Sequence, residues 1–341
     1  MLAAGIFFVV LGHCYQPQYL FYPPFSFHMP LFFFISGYFF RPPHTIEEKF
    51  LFIKKKTLKQ LIPYYLLNFL FGAVTMSLKP LGINLGDDIG WNSFFRTPFL
   101  RADQFLLFIP AWFLINLYFI NVIAGLVYSR NKYLNGVILM TTLMLLYPML
   151  KLGLGNWFDS WKISGIRIFL GFFFVSSGYV FKLIEPSIKK YVLKPAVLVI
   201  LFAIINILNT NFGVITYNLL FANIVNELVW VPVVSTFCII LMIYVLSHYL
   251  NSFLDKKSWV YVLGDHTYSI MVWHYSAFWV LNVVLYAAGI VSFSDLSKQE
   301  YKFNVEKLWM VYMFVGLAVP LFLSSSYQYA KKRAPGVISL P

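Results

Sequence analysis

The sequence predicts an all-α protein, a polytopic bundle of transmembrane helices, and three observations lead to this fold class. Hydrophobic residues make up 60% of the 341 residues, charged residues make up only 11%, and the mean hydropathy is +0.73. This composition excludes a soluble domain, which hides an apolar core beneath a charged surface. Apolar runs of about 20 residues, the length that crosses a bilayer, recur between short polar or proline-bearing breaks. A transmembrane β-barrel would instead show alternating segments of about ten residues.

Ten apolar runs predict about ten spans, so both termini are expected on the same side of the membrane. Their limits lie near 2–22, 25–41, 61–78, 105–128, 133–151, 163–184, 193–209, 229–250, 265–289 and 307–330. The loops on the side of the termini carry seventeen Lys and Arg, the loops on the other side carry eight, and Arg167 lies inside the sixth span. Because cytoplasmic loops are enriched in these residues, both termini are expected in the cytoplasm and the protein in the cytoplasmic (inner) membrane.

Net charge and cysteine content narrow the functional classes. The formal charge of +13 comes from residues at the ends of apolar runs, which indicates membrane orientation rather than nucleic acid binding. Cys14 and Cys238 lie in apolar surroundings without metal-ligand spacing or a disulfide framework, so no metal site is predicted. Residues 1–341 are expected to form a single integral-membrane domain. The sequence leaves open whether native residues precede Met1, since no polar residue marks the start of the first span.

The main functional signal is an ionisable side chain inside an apolar helix. His13 follows the apolar run 6–12, and His28 opens a second apolar string that contains Ser36. An intramembrane histidine indicates a functional site, because the imidazole loses hydration in hydrocarbon. Kept neutral, it can take a proton from a hydroxyl group. His274, in the ninth predicted span, is a second such candidate, but a histidine satisfied by neighbouring helices explains it equally well.

A basic cluster precedes the third span, within the amphipathic stretch 44–62, which is expected on the cytoplasmic surface. Its four lysines lie within six residues: Lys54, Lys55, Lys56 and Lys59. Anchoring to anionic lipid explains any one of them. The four together also suit a phosphate-bearing ligand that arrives from the cytosol. The two roles are compatible.

Three further patterns concern individual helices. Spans two and six carry similar strings that contain Ser and Gly, which predicts close packing of helix backbones. The pair Gly264-Asp265 predicts a helix start, since an aspartate caps exposed amides. Trp112, at the start of span four, is expected near the membrane interface.

Several chemistries lack support in the sequence. None of the thirteen carboxylates lies well inside a predicted span, which argues against a cation-coupled transporter or a proton pump. The chain contains no HExxH, P-loop or GxSxG motif, so metal-dependent hydrolysis, nucleotide hydrolysis and serine-hydrolase chemistry are not indicated.

Taken together, these motifs resemble the acyltransferase-3 family of membrane-bound acyltransferases. The residues that carry the resemblance are Gly12-His13, the string HMPLFFFISGY from His28 to Tyr38, Ile62-Pro63-Tyr64-Tyr65, Trp112-Phe113-Leu114, and the stretch 264–270 followed by Trp273-His274. The likeness runs from about residue 5 to residue 285, and the HMPLFFFISGY string is its most specific part.

Similarity to the sugar O-acetylases of this family implies a ten-helix bundle and an acetyl-CoA donor that is a co-substrate rather than a tightly bound cofactor. The acetyl group would pass to a hydroxyl of a surface glycan or a lipid-linked sugar. The family's helix-one base maps onto His13, with His28 and Ser36 as further catalytic candidates, and its basic segment maps onto the lysine cluster facing the CoA phosphates. The residues expected along the substrate tunnel are Trp112, Asn116 and His274.

One departure from the family concerns the start of the chain, because many members carry an arginine about one helical repeat upstream of the histidine, where this chain has Leu2. Two other functional classes remain open: a glycan or lipid permease without covalent chemistry, and a structural membrane scaffold. The sequence does not specify the acceptor, the choice between acetyl and a larger acyl group, or the oligomeric state.

Overall fold

The computed structural model describes residues 1–14, 22–129, 131–153, 161–213, 217–220, 223–224, 230–255, 258–298 and 300–333. These residues form an all-α bundle, which confirms the predicted fold class. Within them, a single antiparallel ladder pairs β1 (Tyr217–Asn218) with β2 (Asn223–Ile224). The end of the first predicted span, residues 15–21, and the first residue of the eighth, residue 229, lie outside the described residues.

The described part of the chain contains thirteen α-helices. In order they are α1 (Leu2–Cys14), α2 (His28–Tyr38), α3 (Ile46–Lys56), α4 (Ile62–Leu78), α5 (Thr97–Leu100), α6 (Trp112–Val127), α7 (Lys132–Gly153), α8 (Trp161–Val192), α9 (Pro195–Phe212), α10 (Trp230–Phe253), α11 (Trp259–Asp265), α12 (Thr267–Ala287) and α13 (Val305–Arg333). Short 3₁₀ segments lie at Pro24–Ser26, Lys79–Leu81, Leu106–Ala111 and Phe293–Ser297, and π segments at Thr57–Leu61 and Asn92–Arg96.

Seven helical stretches of the described chain are long and apolar enough to cross a bilayer. They are Ile46–Leu81, Leu106–Val127, Trp161–Val192, Pro195–Phe212, Trp230–Phe253, Thr267–Ala287 and Val305–Tyr329. These correspond to the third, fourth and sixth to tenth predicted spans. The first and second predicted spans contain α1 and α2, with 13 and 11 residues, and the fifth lies within α7, which has 22 residues. The number of ten spans and the cytoplasmic position of the termini stay predictions.

Two local expectations change. The basic stretch is continuous with the third span, because α3, the π segment and α4 form one helical stretch from Ile46 to Leu81. The helix start predicted at Gly264-Asp265 is wrong, since α11 ends at Asp265 and α12 begins at Thr267. The residue before α12 is His266, whose side chain caps no amide, and the Thr267 hydroxyl donates to the Gly264 carbonyl at 2.7 Å.

The backbones of α2 and α8 lie almost in contact, as the similar Ser and Gly strings predict. A β-carbon at Gly37 would overlap the Val175 carbonyl oxygen, and one at Gly178 would overlap the Phe34 carbonyl oxygen. Only glycine fits at either position without moving a helix. This contact fixes the axial position of α2, which carries His28 at its first residue.

We expect Gly178→Ala to destabilise the protein by about 1–3 kcal/mol, because the added methyl group forces two packed backbones apart. Thermal unfolding of the purified protein in detergent measures this change. Gly165→Ala on the same helix is the matched control: a β-carbon there meets no atom within 4 Å, and alanine favours the helix. Equal melting temperatures for the two variants would contradict the close α2–α8 contact.

Candidate functional site

A chain of two hydrogen bonds joins His13 to a carboxylate through a tyrosine. The Tyr275 hydroxyl oxygen lies 2.7 Å from His13 Nδ1 and 2.7 Å from Glu300 Oε1. The carboxylate can only accept, so the Tyr275 hydroxyl donates its proton to Glu300. The Tyr275 oxygen then accepts from His13 Nδ1–H. This arrangement leaves His13 Nε2 as the unprotonated nitrogen, which is the state that a general base requires.

Glu300 reaches this position from the loop between α12 and α13. Its backbone φ is +53°, in the left-handed region that non-glycine residues seldom adopt. The Lys302 ammonium donates to the Glu300 carbonyl at 2.9 Å and steadies the turn. Burial lowers the pKa of Lys302, and the Glu300 carboxylate opposes that shift. Its bond to Tyr275 and its position in the lining of the cavity described next place Glu300 in the site, where such strained conformations are often found.

His13 lies on the wall of a cavity of about 520 Å³. Its lining residues are His13, Phe25, His28, Met29, Arg101, Asp103, Ile109, Pro110, Trp112, Asn218, Leu219, Leu220 and Glu300. The Arg101 guanidinium donates to both Asp103 oxygens at 2.9 to 3.2 Å, so these two charges satisfy each other. The cavity thus combines aromatic walls with polar groups, and we call it the His13 cavity.

The other two predicted histidines have fixed tautomers as well. His28 Nδ1 lies 2.5 Å from the Pro24 carbonyl oxygen, and His274 Nδ1 lies 2.8 Å from the Ile270 carbonyl oxygen. A carbonyl only accepts, so each Nδ1 carries a proton and each Nε2 is bare. His274 is fully buried, and no described residue bonds to its Nε2. Its ring centroid lies 5.3 Å from that of His13, but His274 does not line the cavity.

A second cavity, of about 650 Å³, lies at the opposite end of α2 and is strongly basic. Its lining residues are Ile35, Ser36, Phe39, Phe40, Arg41, Phe52, Lys55, Lys56, Lys59, Gln60, Leu114, Leu117, Asn121 and Tyr268. The structure therefore brings together three of the four predicted lysines, adds Arg41, and leaves Lys54 outside. None of these described lining residues is a carboxylate, so the lining presents an unbalanced positive charge to an anion. We call it the basic cavity.

The two cavities lie along one short helix. Met29 lines the His13 cavity and Ser36 lines the basic cavity, about 10 Å farther along α2 at 1.5 Å per residue. Ser36 is therefore placed away from His13, where its hydroxyl donates to Asn121 Oδ1 at 3.3 Å. Between the two positions, the Phe33 ring packs against Phe113 with centroids 4.8 Å apart.

The remaining predicted tunnel residues differ in position. Trp112 is only 6% exposed and lines the His13 cavity, so its indole forms part of the buried wall. Asn116 is buried one turn later, where its Nδ2 donates to the Trp112 carbonyl at 2.8 Å. Asn116 lines neither cavity, because this bond keeps its amide against its own helix.

Arg167 is a buried arginine beside the His13 cavity, to which the sequence analysis gave no role. It is 1% exposed on α8, and its guanidinium donates to the carbonyls of Phe99 and Leu220. Leu220 lines the His13 cavity, and Phe99 lies two residues before Arg101, which lines it too. Arg167 therefore ties two loops to the bundle at the cavity wall. A charged residue inside a predicted span was the signal that could have identified it.

Among the residues that the structure describes, no group of three or more His, Cys, Asp or Glu side chains could hold a metal ion. Both cysteines are free and buried. The available chemistry is that of an oriented neutral imidazole beside a polar cavity.

Comparison with known families gives one match. A family model described as an acyltransferase domain matches residues 3–327, a range that contains every residue lining the two cavities. Comparison with curated proteins and with solved structures gives no match.

We expect Arg167→Leu to loosen the two loops that Arg167 holds, because two carbonyls lose a charged donor inside the protein. Amide hydrogen exchange in peptides covering 97–103 and 217–220 should become about tenfold faster, as expected for a loss of about 1.4 kcal/mol. Lys189→Met, which changes an exposed charge at the other end of α8, is the control. Unchanged exchange in these peptides would contradict the role given to Arg167.

Proposed function

Because the chain belongs to the acyltransferase-3 family of membrane acyltransferases, we propose that it transfers an acetyl group from acetyl-CoA to a hydroxyl of a surface glycan or a lipid-linked sugar. The observation that carries the proposal is the hydrogen-bonded chain Glu300–Tyr275–His13. It leaves an unprotonated nitrogen on a residue that lines the His13 cavity.

In this mechanism His13 Nε2 takes the proton of the acceptor hydroxyl as the hydroxyl oxygen attacks the thioester carbonyl. The new C–O bond forms and the C–S bond breaks. The proton then passes from His13 to the departing sulfur, which leaves as the CoA thiol, so the reaction needs no further reactant. While His13 carries the extra proton, Nδ1–H is still bonded to Tyr275, and the Glu300 charge behind it stabilises the imidazolium.

The basic cavity supports the donor half of the proposal. CoA carries several phosphate charges, and four cations without a carboxylate make a field that attracts such a ligand. Arg41 adds a guanidinium, which can bind a phosphate through two parallel hydrogen bonds. With the phosphates in the basic cavity, the extended arm of the donor would run along α2 towards His13. The charge bias of the loops suggests that this end of the bundle is cytoplasmic.

The lining of the His13 cavity supports a carbohydrate acceptor. Phe25 and Trp112 offer flat apolar surfaces, while the Arg101–Asp103 ion pair and Asn218 form a polar part of the wall. A sugar ring has both an apolar face and a rim of hydroxyl groups, so it can use both kinds of wall. An acceptor with a single polar group would leave most of these groups unused.

We expect His13→Gln to abolish acetyl transfer, lowering kcat by about 10³-fold, because the glutamine side chain cannot act as the base. The measurement uses membranes that contain the protein, labelled acetyl-CoA, and the label recovered in glycan. His248→Gln, at an exposed position of α10, is the control and should retain activity. A permease would leave the label on CoA in both proteins. Full transfer by His13→Gln at normal abundance would overturn the mechanism.

The double variant Lys55→Gln/Lys59→Gln should raise KM for acetyl-CoA about tenfold while changing kcat little. Each lost charge contributes up to about 1 kcal/mol to holding the phosphates. Lys54→Gln is the matched control, because Lys54 belongs to the same helix but does not line the basic cavity. An equal rise of KM in the control would indicate a general surface field and contradict a defined phosphate site.

A further inference from the structure

Two imidazoles share one wall of the His13 cavity. The ring centroids of His13 and His28 are 6.3 Å apart. Phe25 contacts both, with ring centroids 5.0 Å from His13 and 5.4 Å from His28. The three rings therefore form one surface, with an apolar phenyl group flanked by two nitrogen heterocycles.

His28 presents a hydrogen-bond acceptor that the protein does not use. Its Nδ1–H is bonded to the Pro24 carbonyl in the turn before α2, so Nε2 carries the lone pair. Among the described residues no side chain or amide donates to this atom, although the residue is only 2% exposed. Arg101, a cation of the same lining, forms an ion pair with Asp103. A hydroxyl group of a molecule inside the cavity can supply a donor to His28 Nε2.

His28 differs from His13 in what lies behind its ring. Behind His13 stands the Tyr275–Glu300 chain, which stabilises a positive charge, whereas behind His28 stands a neutral carbonyl group. His28 is therefore poorly suited to take a full proton and well suited to accept a hydrogen bond. Under the proposed function, this difference favours His13 as the base and His28 as a group that recognises the acceptor.

We propose that His28 Nε2 binds a second hydroxyl of the acceptor, next to the hydroxyl that is acylated, so that the enzyme selects diols over simple alcohols. This inference rests on the proposed function, because it takes His13 as the group that receives the reacting hydroxyl. With O–H···N bonds of about 2.8 Å, both oxygens can belong to one small ring whose apolar face lies on Phe25. A lipid alcohol with one hydroxyl lacks the second donor.

The experiment compares cyclohexanol with cis- and trans-cyclohexane-1,2-diol as acceptors, in membranes that contain the protein, with labelled acetyl-CoA. We expect at least one diol to exceed cyclohexanol in kcat/KM by about tenfold or more, since a site built for a hydroxyl rejects the analogue that lacks it. His28→Leu should remove this preference. His28→Gln, whose carbonyl oxygen can accept, should restore part of it, and His248→Leu should leave it unchanged.

The ratio of the two rates is the readout, because a folding defect lowers both rates equally. A His28→Leu protein that keeps the wild-type diol preference overturns the inference. So does a wild-type protein that uses cyclohexanol and both diols equally, or that labels the glycan of its own membranes but none of these alcohols. A wild-type protein that labels neither glycan nor alcohol overturns the proposed function, and the inference with it.

Discussion

The structure of the site depends on the hydroxyl group of Tyr275, which touches two residues from different parts of the fold. His13 lies at the end of α1 and Glu300 lies in the loop before α13, so three separate segments must converge within hydrogen-bond distance. Asn282 helps to hold the loop, because its Nδ2 donates to the Tyr301 carbonyl at 2.8 Å. The Phe303 amide likewise donates to the Tyr312 hydroxyl at 2.9 Å. The tautomer of His13 thus depends on the packing of α1, α12 and α13.

The fold class and the principal histidine could be predicted from the sequence because both depend on local pattern. Apolar runs identify helices, and a polar ring in such a run identifies His13. Glu300 could not be predicted, because its role depends on the loop between α12 and α13 coming close to the end of α1, which lies at the other end of the chain. Ser36 and Trp112 were found as motif members, but their assignment to different cavities follows from the orientation of α2 against α6 and α8.

The lysine cluster is a second feature that the sequence predicts only in part, here within a single helix. Lys54 and Lys55 are neighbours in sequence, but consecutive residues of a helix point about 100° apart. At this spacing, Lys55, Lys59 and Lys56 fall within an arc of about 100° and line the cavity, whereas Lys54 lies about 100° outside that arc. Composition predicts the positive field. The rotation of the helix about its axis determines which lysines line the cavity, and the end of α2 beside it explains why Arg41 joins them.

The left-handed backbone at Glu300 has a consequence for which residues the position tolerates. An L-residue in this conformation costs the fold about 1 kcal/mol or more, a cost that glycine would avoid and that asparagine or aspartate would reduce. Glycine has no carboxylate, and aspartate is one methylene shorter than the side chain that now reaches Tyr275. The backbone conformation therefore favours glycine, asparagine or aspartate at position 300, whereas the distance to Tyr275 favours the longer glutamate. The chain has the residue that spans this distance.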